Sequence, residues 1–205
     1  MAELGRIERP AVEAYTGKRK LYCVPNVLPF KDAPDEYKGL VEKYWNEVAE
    51  HIDRLEAAGK VNKIFFEGII AEGEEAFEAL ASINEQALTI VKKKVGEGAA
   101  LLPLEREEIF APFIDWANCL NIVRTQEVFD KLFAFYKEAA ERRIQAIQQV
   151  IEDNIAGSEA GLLIIRDDDR MKLQFNKELE VFLVTPPAYD DIITWVRERM
   201  QEGQA

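Results

Sequence analysis

The stretch Gln126–Asp169, QEVFDKLFAFYKEAAERRIQAIQQVIEDNIAGSEAGLLIIRDDD, decides the fold. Counted at helical spacing from Phe129, the residues Leu132, Phe133, Tyr136, Ala140, Ile147, Val150 and Ile151 make the apolar stripe of one long helix, from about Gln126 to Asn154. Arg143 falls inside that stripe. A guanidinium on a core-facing stripe must find a partner or reach solvent along a buried stem. The helix then gives way to Gly161-Leu-Leu-Ile-Ile165, an apolar run of the buried-strand type that ends in Arg166-Asp-Asp-Asp-Arg170. A cation and a group of carboxylates are therefore expected at one strand end.

On the N-terminal side of this stretch, Lys20–Val24 reads as a first strand stopped by Pro25. A helix from Asp35 carries Val41, Tyr44, Trp45, Val48, Ile52 and Leu55 at a 3.6-residue period, and Gly59 ends it. Lys63–Glu67 is a second strand, so strand, helix and strand form a βαβ unit with parallel strands. Glu74–Val95 reads as one helix, Ala99–Leu104 as a short strand, and Glu105–Leu120 as a helix apolar on several sides. After the decisive stretch come an alternating strand at Met171–Phe175, a strand at Leu179–Val184, and a closing helix with Thr185 at its cap. The expectation is a single α/β domain over 1–205: a small mixed central sheet, flanking helices, a helical insertion at about 105–154, and a frayed tail at 201–205.

The whole chain narrows the function classes. Its 205 residues suffice for one well-cored domain, and 48% hydrophobic with 31% charged residues is ordinary for a globular protein. A net charge of -12 argues against nucleic acid and against an anionic membrane surface, since the densest basic runs, Lys18–Lys20 and Lys92–Lys94, are only three residues long. Cys23 and Cys119 show no metal spacing and read as core thiols of a reducing compartment. The N-terminus, Met1–Arg9, has no apolar signal region, and no run is long enough to span a membrane. A cytoplasmic location is expected.

Candidate site residues follow from strand ends and from Arg143. Glu67 closes a predicted buried strand, where open α/β sheets place ligands. It could hold a metal, act as a base, pair with Arg143, or stand in solvent. Asp167 and Asp169 share a face if the backbone is extended, and oxygen ligands of this kind suit Mg²⁺ or Mn²⁺. The run also suits a solvated hairpin turn. Either Arg142 or Arg143 faces inward, with Glu67 or Asp167 as the expected partner. His51, the sole histidine, lies on a helix flank, which excludes a His-rich zinc site. Phosphate-cradling glycine loops are missing, and no cofactor is evident.

The order of these pieces resembles the TraB/ChaN/erythromycin-esterase-like superfamily over residues 18–200. The resemblance is carried by Leu21–Val24 as opening strand, by Ile64-Phe-Phe-Glu67, by Glu141-Arg142-Arg143 on the late helix, and by the strand Gly161–Ile165. It implies an α/β fold with a helical insertion. Some members are proposed metal-dependent hydrolases or peptidases, and ChaN-type proteins bind haem. The family's two histidine positions are replaced here, by the Pro25-Asn-Val-Leu28 turn and by Arg166–Asp169, so the resemblance implies fold more than activity. The expectation is a non-catalytic protein that binds a small molecule or a protein partner, with a metal-assisted (Mg²⁺ or Mn²⁺) carboxylate–arginine hydrolase as the alternative. The aromatic residues Phe110, Phe113, Trp116, Phe129, Phe133, Phe135 and Tyr136 suit a core, and any homodimer is expected to use helices 105–154.

Overall fold

The computed structural model describes residues 17–30 and 32–202. The reading of Met1–Arg9 and the last three residues of the expected frayed tail lie outside them. Five strands, β1 (Arg19–Pro25), β2 (Val61–Phe66), β3 (Ala100–Pro103), β4 (Ala160–Ile165) and β5 (Leu179–Leu183), form one sheet in the order β3-β2-β4-β1-β5. Every neighbouring pair is parallel. The helices are α1 (Asp35–Leu55), α2 (Gly73–Ile83), α3 (Glu85–Gly96), α4 (Glu107–Leu120), α5 (Gln126–Asn154), the one-turn α6 (Asp167–Arg170) and α7 (Pro187–Glu202). This is an α/β fold.

The alternation of side chains along the buried strands sorts the core into two layers. Tyr22, Val24, Ile64, Phe66, Leu162 and Ile164 point to one face, which α1, α2, α3 and α7 cover. Leu21, Cys23, Phe65, Leu163 and Ile165 point to the other, and there the cover is Ile147, Ile151 and Ile155 at the end of α5, with Leu173 and Phe175 beside them. Coverage is thus uneven. At its 29 residues α5 is about 43 Å long, and only its C-terminal part lies on the sheet. Its first half packs instead on α4, with Phe113 stacked on Tyr136 and Trp116 on Phe135. The two helices form a hairpin that overhangs the strand ends.

Several expectations change. The sheet is wholly parallel, not mixed, because Met171–Phe175 is a turn and an irregular segment. Its alternation arises from Leu173 and Phe175 tucking against the core while Lys172 and Gln174 face out. The slot beside β1 that a fifth strand could fill is taken by β5. The expected helix Glu74–Val95 is two helices, broken at Asn84, which is extended (φ -155, ψ 94) and caps α3 by accepting from the Ala87 N–H at 3.1 Å. The aspartate run is α6, not a hairpin turn.

The close contact of α5's exit with β4 is made possible by Gly161. A Cβ there would stand 2.6 Å from Ile155 Cδ1 and 3.2 Å from both Leu21 Cδ1 and Phe65 Cε2. Gly161→Ala should therefore lower stability by about 1–3 kcal/mol through overpacking. Urea unfolding checks this: an unchanged midpoint would show that the junction is looser than described.

Candidate functional site

Three strand ends contribute one carboxylate region. Glu67 directly follows β2, and its N–H still donates to the Ile164 carbonyl of β4 at 3.0 Å, so its position is fixed by the sheet. Gly68 then takes φ +84, a left-handed conformation that a side chain would strain, and turns the chain away. Glu105 follows β3, held by its N–H donating to the Ile69 carbonyl at 3.0 Å. Asp169 is presented by α6 just past β4.

Arg143 drops from α5 into the middle of these groups and is 1% exposed. Its Nε donates to both Glu105 oxygens at 3.0 and 3.1 Å, and Nη2 donates to Glu105 Oε1 at 2.5 Å. Nη1 donates to Asp169 Oδ2 at 2.7 Å, and Nη2 reaches Glu67 Oε1 at 3.4 Å. From the α4 side the guanidinium is covered by the rings of Phe113 and Phe110, at 4.8 and 5.4 Å from their centroids. Two further cations complete the charge balance. Arg166 gives Glu67 its backbone N–H at 2.8 Å and its Nε at 2.6 Å. Lys172 Nζ donates to Asp169 Oδ1 at 2.8 Å. Three carboxylates face three cations, so the cluster is neutral as a whole.

Of the candidates Glu67, Arg142, Arg143, Asp167 and Asp169, the structure brings Glu67, Arg143 and Asp169 together. Asp167 does not join them: its carboxylate accepts from Arg170 Nε at 2.7 Å, because α6 rotates successive side chains by a helical and not an extended step. Arg142 points the other way and lines a 210 Å³ hollow with Trp116 and Phe135. The strongest partner of Arg143, Glu105, was missed. It sits just before a helix in Leu104-Glu-Arg-Glu-Glu108, where several acids compete and nothing in the pattern marks one as buried.

Burial raises the pKa of Glu105, opposed by its hydrogen bonds to Arg143. Burial also works against the charge on Arg143, but Glu105 and Asp169 outweigh it and its pKa is raised. For Asp169, burial alone would raise the pKa. Hydrogen bonds from Lys172 and Arg143 overcome this and hold it below the usual carboxylate value.

The crevice of such a sheet lies where the chain leaves neighbouring strands in opposite directions, here between β1 and β4. It is closed. The Asn26 N–H donates to the Ile165 carbonyl at 2.9 Å, and Tyr44 Oη donates to the Pro25 carbonyl at 2.6 Å. Asn84 Nδ2 donates to Asn26 Oδ1 at 2.9 Å. Open space lies instead on the flank of α5, in a groove of 620 Å³ between Tyr136, Ala140, Ile144 and Gln148 on the helix and Lys172 and Gln174 opposite. Among the described residues no three His, Cys, Asp or Glu side chains are arranged to hold a metal ion. Cys23 is buried, which pushes its thiol up to about 12, so it behaves as a core residue. His51 is half-buried on α1, and burial and the nearby Arg54 lower its pKa.

Removing Arg143 leaves its three acceptors buried, so Arg143→Ala should cost about 3–5 kcal/mol, measurable by urea unfolding at pH 7. Asp169 gives a pH signature. Its native pKa lies below the unfolded one, so its stabilisation is present above the unfolded value and is lost as pH falls through the native one. Glu105, shifted upward, has the opposite sign. Unfolding from pH 2.5 to 6 should therefore show a shallower acid decline in Asp169→Asn than in the unsubstituted protein; an identical slope would remove Asp169 from the linkage. Compared with family models, with curated proteins and with solved structures, the chain shows no significant match to any.

Proposed function

We propose that this chain is a non-catalytic binding protein that presents the α4–α5 hairpin to a protein partner, its strand-end charges serving to hold the fold. The observation that carries this reading is a contrast. Glu67, Glu105 and Asp169 are satisfied by the buried Arg143 and by Arg166 and Lys172 in a neutral cluster, while the apolar stripe of α5 is bare where it overhangs the sheet. Phe129 and Phe133, stacked at 5.8 Å, are 38% and 42% exposed. A solvent-facing aromatic pair beside an open groove marks an interaction surface more than an enclosed small-molecule pocket. The net charge of -12 supports a partner other than nucleic acid. No helix among the described residues is long and apolar enough to cross a membrane. The free cysteines support a cytoplasmic setting.

In this reading the chain is a distant relative of the TraB/ChaN/erythromycin-esterase-like superfamily that has lost its histidines. The contact of Glu67 at the end of β2 with Arg143 of the late helix supports it. Metal-assisted hydrolysis by Glu67 and Asp169 would require Mg²⁺ or Mn²⁺ to displace Arg143, Arg166 and Lys172 from their oxygens.

Two melting experiments test the proposal. Saturating Mg²⁺, Mn²⁺ or Zn²⁺ should leave the melting temperature unchanged; occupancy at a hundred times Kd would add about 2.7 kcal/mol, and such a rise would favour the hydrolase. At submicromolar protein, replacing Phe129 and Phe133 by serine should change stability by no more than about 0.5 kcal/mol each. Phe113→Ser, at a ring only 6% exposed, should cost about 3–5 kcal/mol. Equal losses at all three positions would make the exposed pair part of the fold and not an interface.

A further inference from the structure

We infer that the partner of the α5 stripe is a second copy of this chain, docked antiparallel on the same stripe about a two-fold axis beside Tyr136 and Lys137. The inference rests on the hairpin reading above and names its partner. The stripe has two unlike halves. On the N-terminal half the apolar groups protrude, with Phe129 and Phe133 exposed. On the C-terminal half they are recessed, with Ala140 and Ile144 flooring the 620 Å³ groove. Protrusion and recess are evenly spaced about one point. Phe133 and Phe129 precede Tyr136 by three and seven residues, and Ala140 and Ile144 follow it by four and eight. An axis there seats Phe133 of each copy over Ala140 of the other, and Phe129 over Ile144. A heterologous partner would have to supply both shapes at this spacing; a second copy already has them.

One charged pair supports the same register, against the like charges of the two Lys137 side chains that meet at its axis. The register brings Asp130 of one copy level with Arg143 of the other. At that level the exposed Lys172 ammonium stands 2.8 Å from Asp169, within reach of a second carboxylate. Asp130 is exposed, and its only described hydrogen bond is from Gln126 Nε2 on its own helix, at 2.7 Å. The paired segment, 126–147, is about 33 Å long. It buries on the order of 1,000 Å² in total, near the lower limit of specific interfaces, which fits a dimer of micromolar stability.

Sedimentation velocity of the full chain from about 1 to about 200 µM should show the mass rising from monomer toward dimer. The double substitution F129S/F133S should weaken association at least about tenfold, and D130K about threefold with loss of its salt sensitivity. The register is read by cysteine pairing in a Cys119→Ser background. Lys137→Cys should oxidise to a linked dimer. Glu127→Cys, whose copies stand about 28 Å apart in this arrangement, should not. A chain that stays monomeric throughout overturns the inference, as does linkage at position 127 in preference to 137. Neither result touches the hairpin reading, which depends on the melting of the serine variants and not on mass.

Discussion

A single guanidinium ties together the chain that follows three of the five strands. Arg143 reaches from α5 to acids that follow β2, β3 and β4, and its flat face rests on two rings of α4. Alone, a buried charge of this kind would be ruinous. Among three carboxylates, of which Glu67 and Asp169 also accept from Arg166 and Lys172 and Glu105 from the Gly68 N–H, it is compensated, and each member depends on the others. Such clusters are weak evidence for net stability, because a well-packed apolar replacement often does as well. What an apolar replacement would lack is direction. Five hydrogen bonds from one side chain allow α5 a single rotation and a single height over the sheet.

That fixed orientation matters because α5 has little else to hold its first half. Four helices cover one face of the sheet, and the other is left to the end of α5 and a short irregular segment. The front of α5 packs on α4, through rings stacked from Phe110 to Phe113 to Tyr136 to Phe133 to Phe129. This column begins at the buried guanidinium and ends in solvent. The overhanging hairpin is thus anchored at one end by charge and carried outward by aromatic packing. Its apolar underside lies beyond the reach of the sheet that would otherwise have covered it.

Much of this was legible in the residues, and the failures have physical causes. The apolar runs at Leu21–Val24, Ile64–Phe66 and Leu162–Ile165 announced buried strands, and all three are. The cost of a charge on the α5 stripe announced Arg143, and Glu67 as a partner followed from a strand end, whereas Asp169 stands where Asp167 was expected. Met171–Phe175 misled because a segment that lies on a core alternates in and out without any strand to pair with. Asp167 misled because a period of two was assumed where one helical turn forms. Glu105 was invisible, since burial of one acid among several neighbours is decided by distant chain. The same limit applied to Phe129 and Phe133. Periodicity shows that they share a stripe with Ile147 and Ile151, yet only the length of the sheet decides which of them it reaches.

The charged cluster and the open groove are joined through one residue. Asp169 accepts from the buried Arg143 with one oxygen and from Lys172 with the other, at 2.7 and 2.8 Å. Lys172 is in turn a wall of the groove on α5. The distance between that wall and the helix is therefore set from inside the fold by a carboxylate bridging two cations, one sealed and one wet. Loss of Asp169 would free Lys172 and the segment through Gln174 to move against α5, altering the shape of the groove while leaving the sheet intact. The polar residues at the strand ends, positioned where open parallel sheets place ligands, are thus mechanically linked to the wall of the groove beside α5.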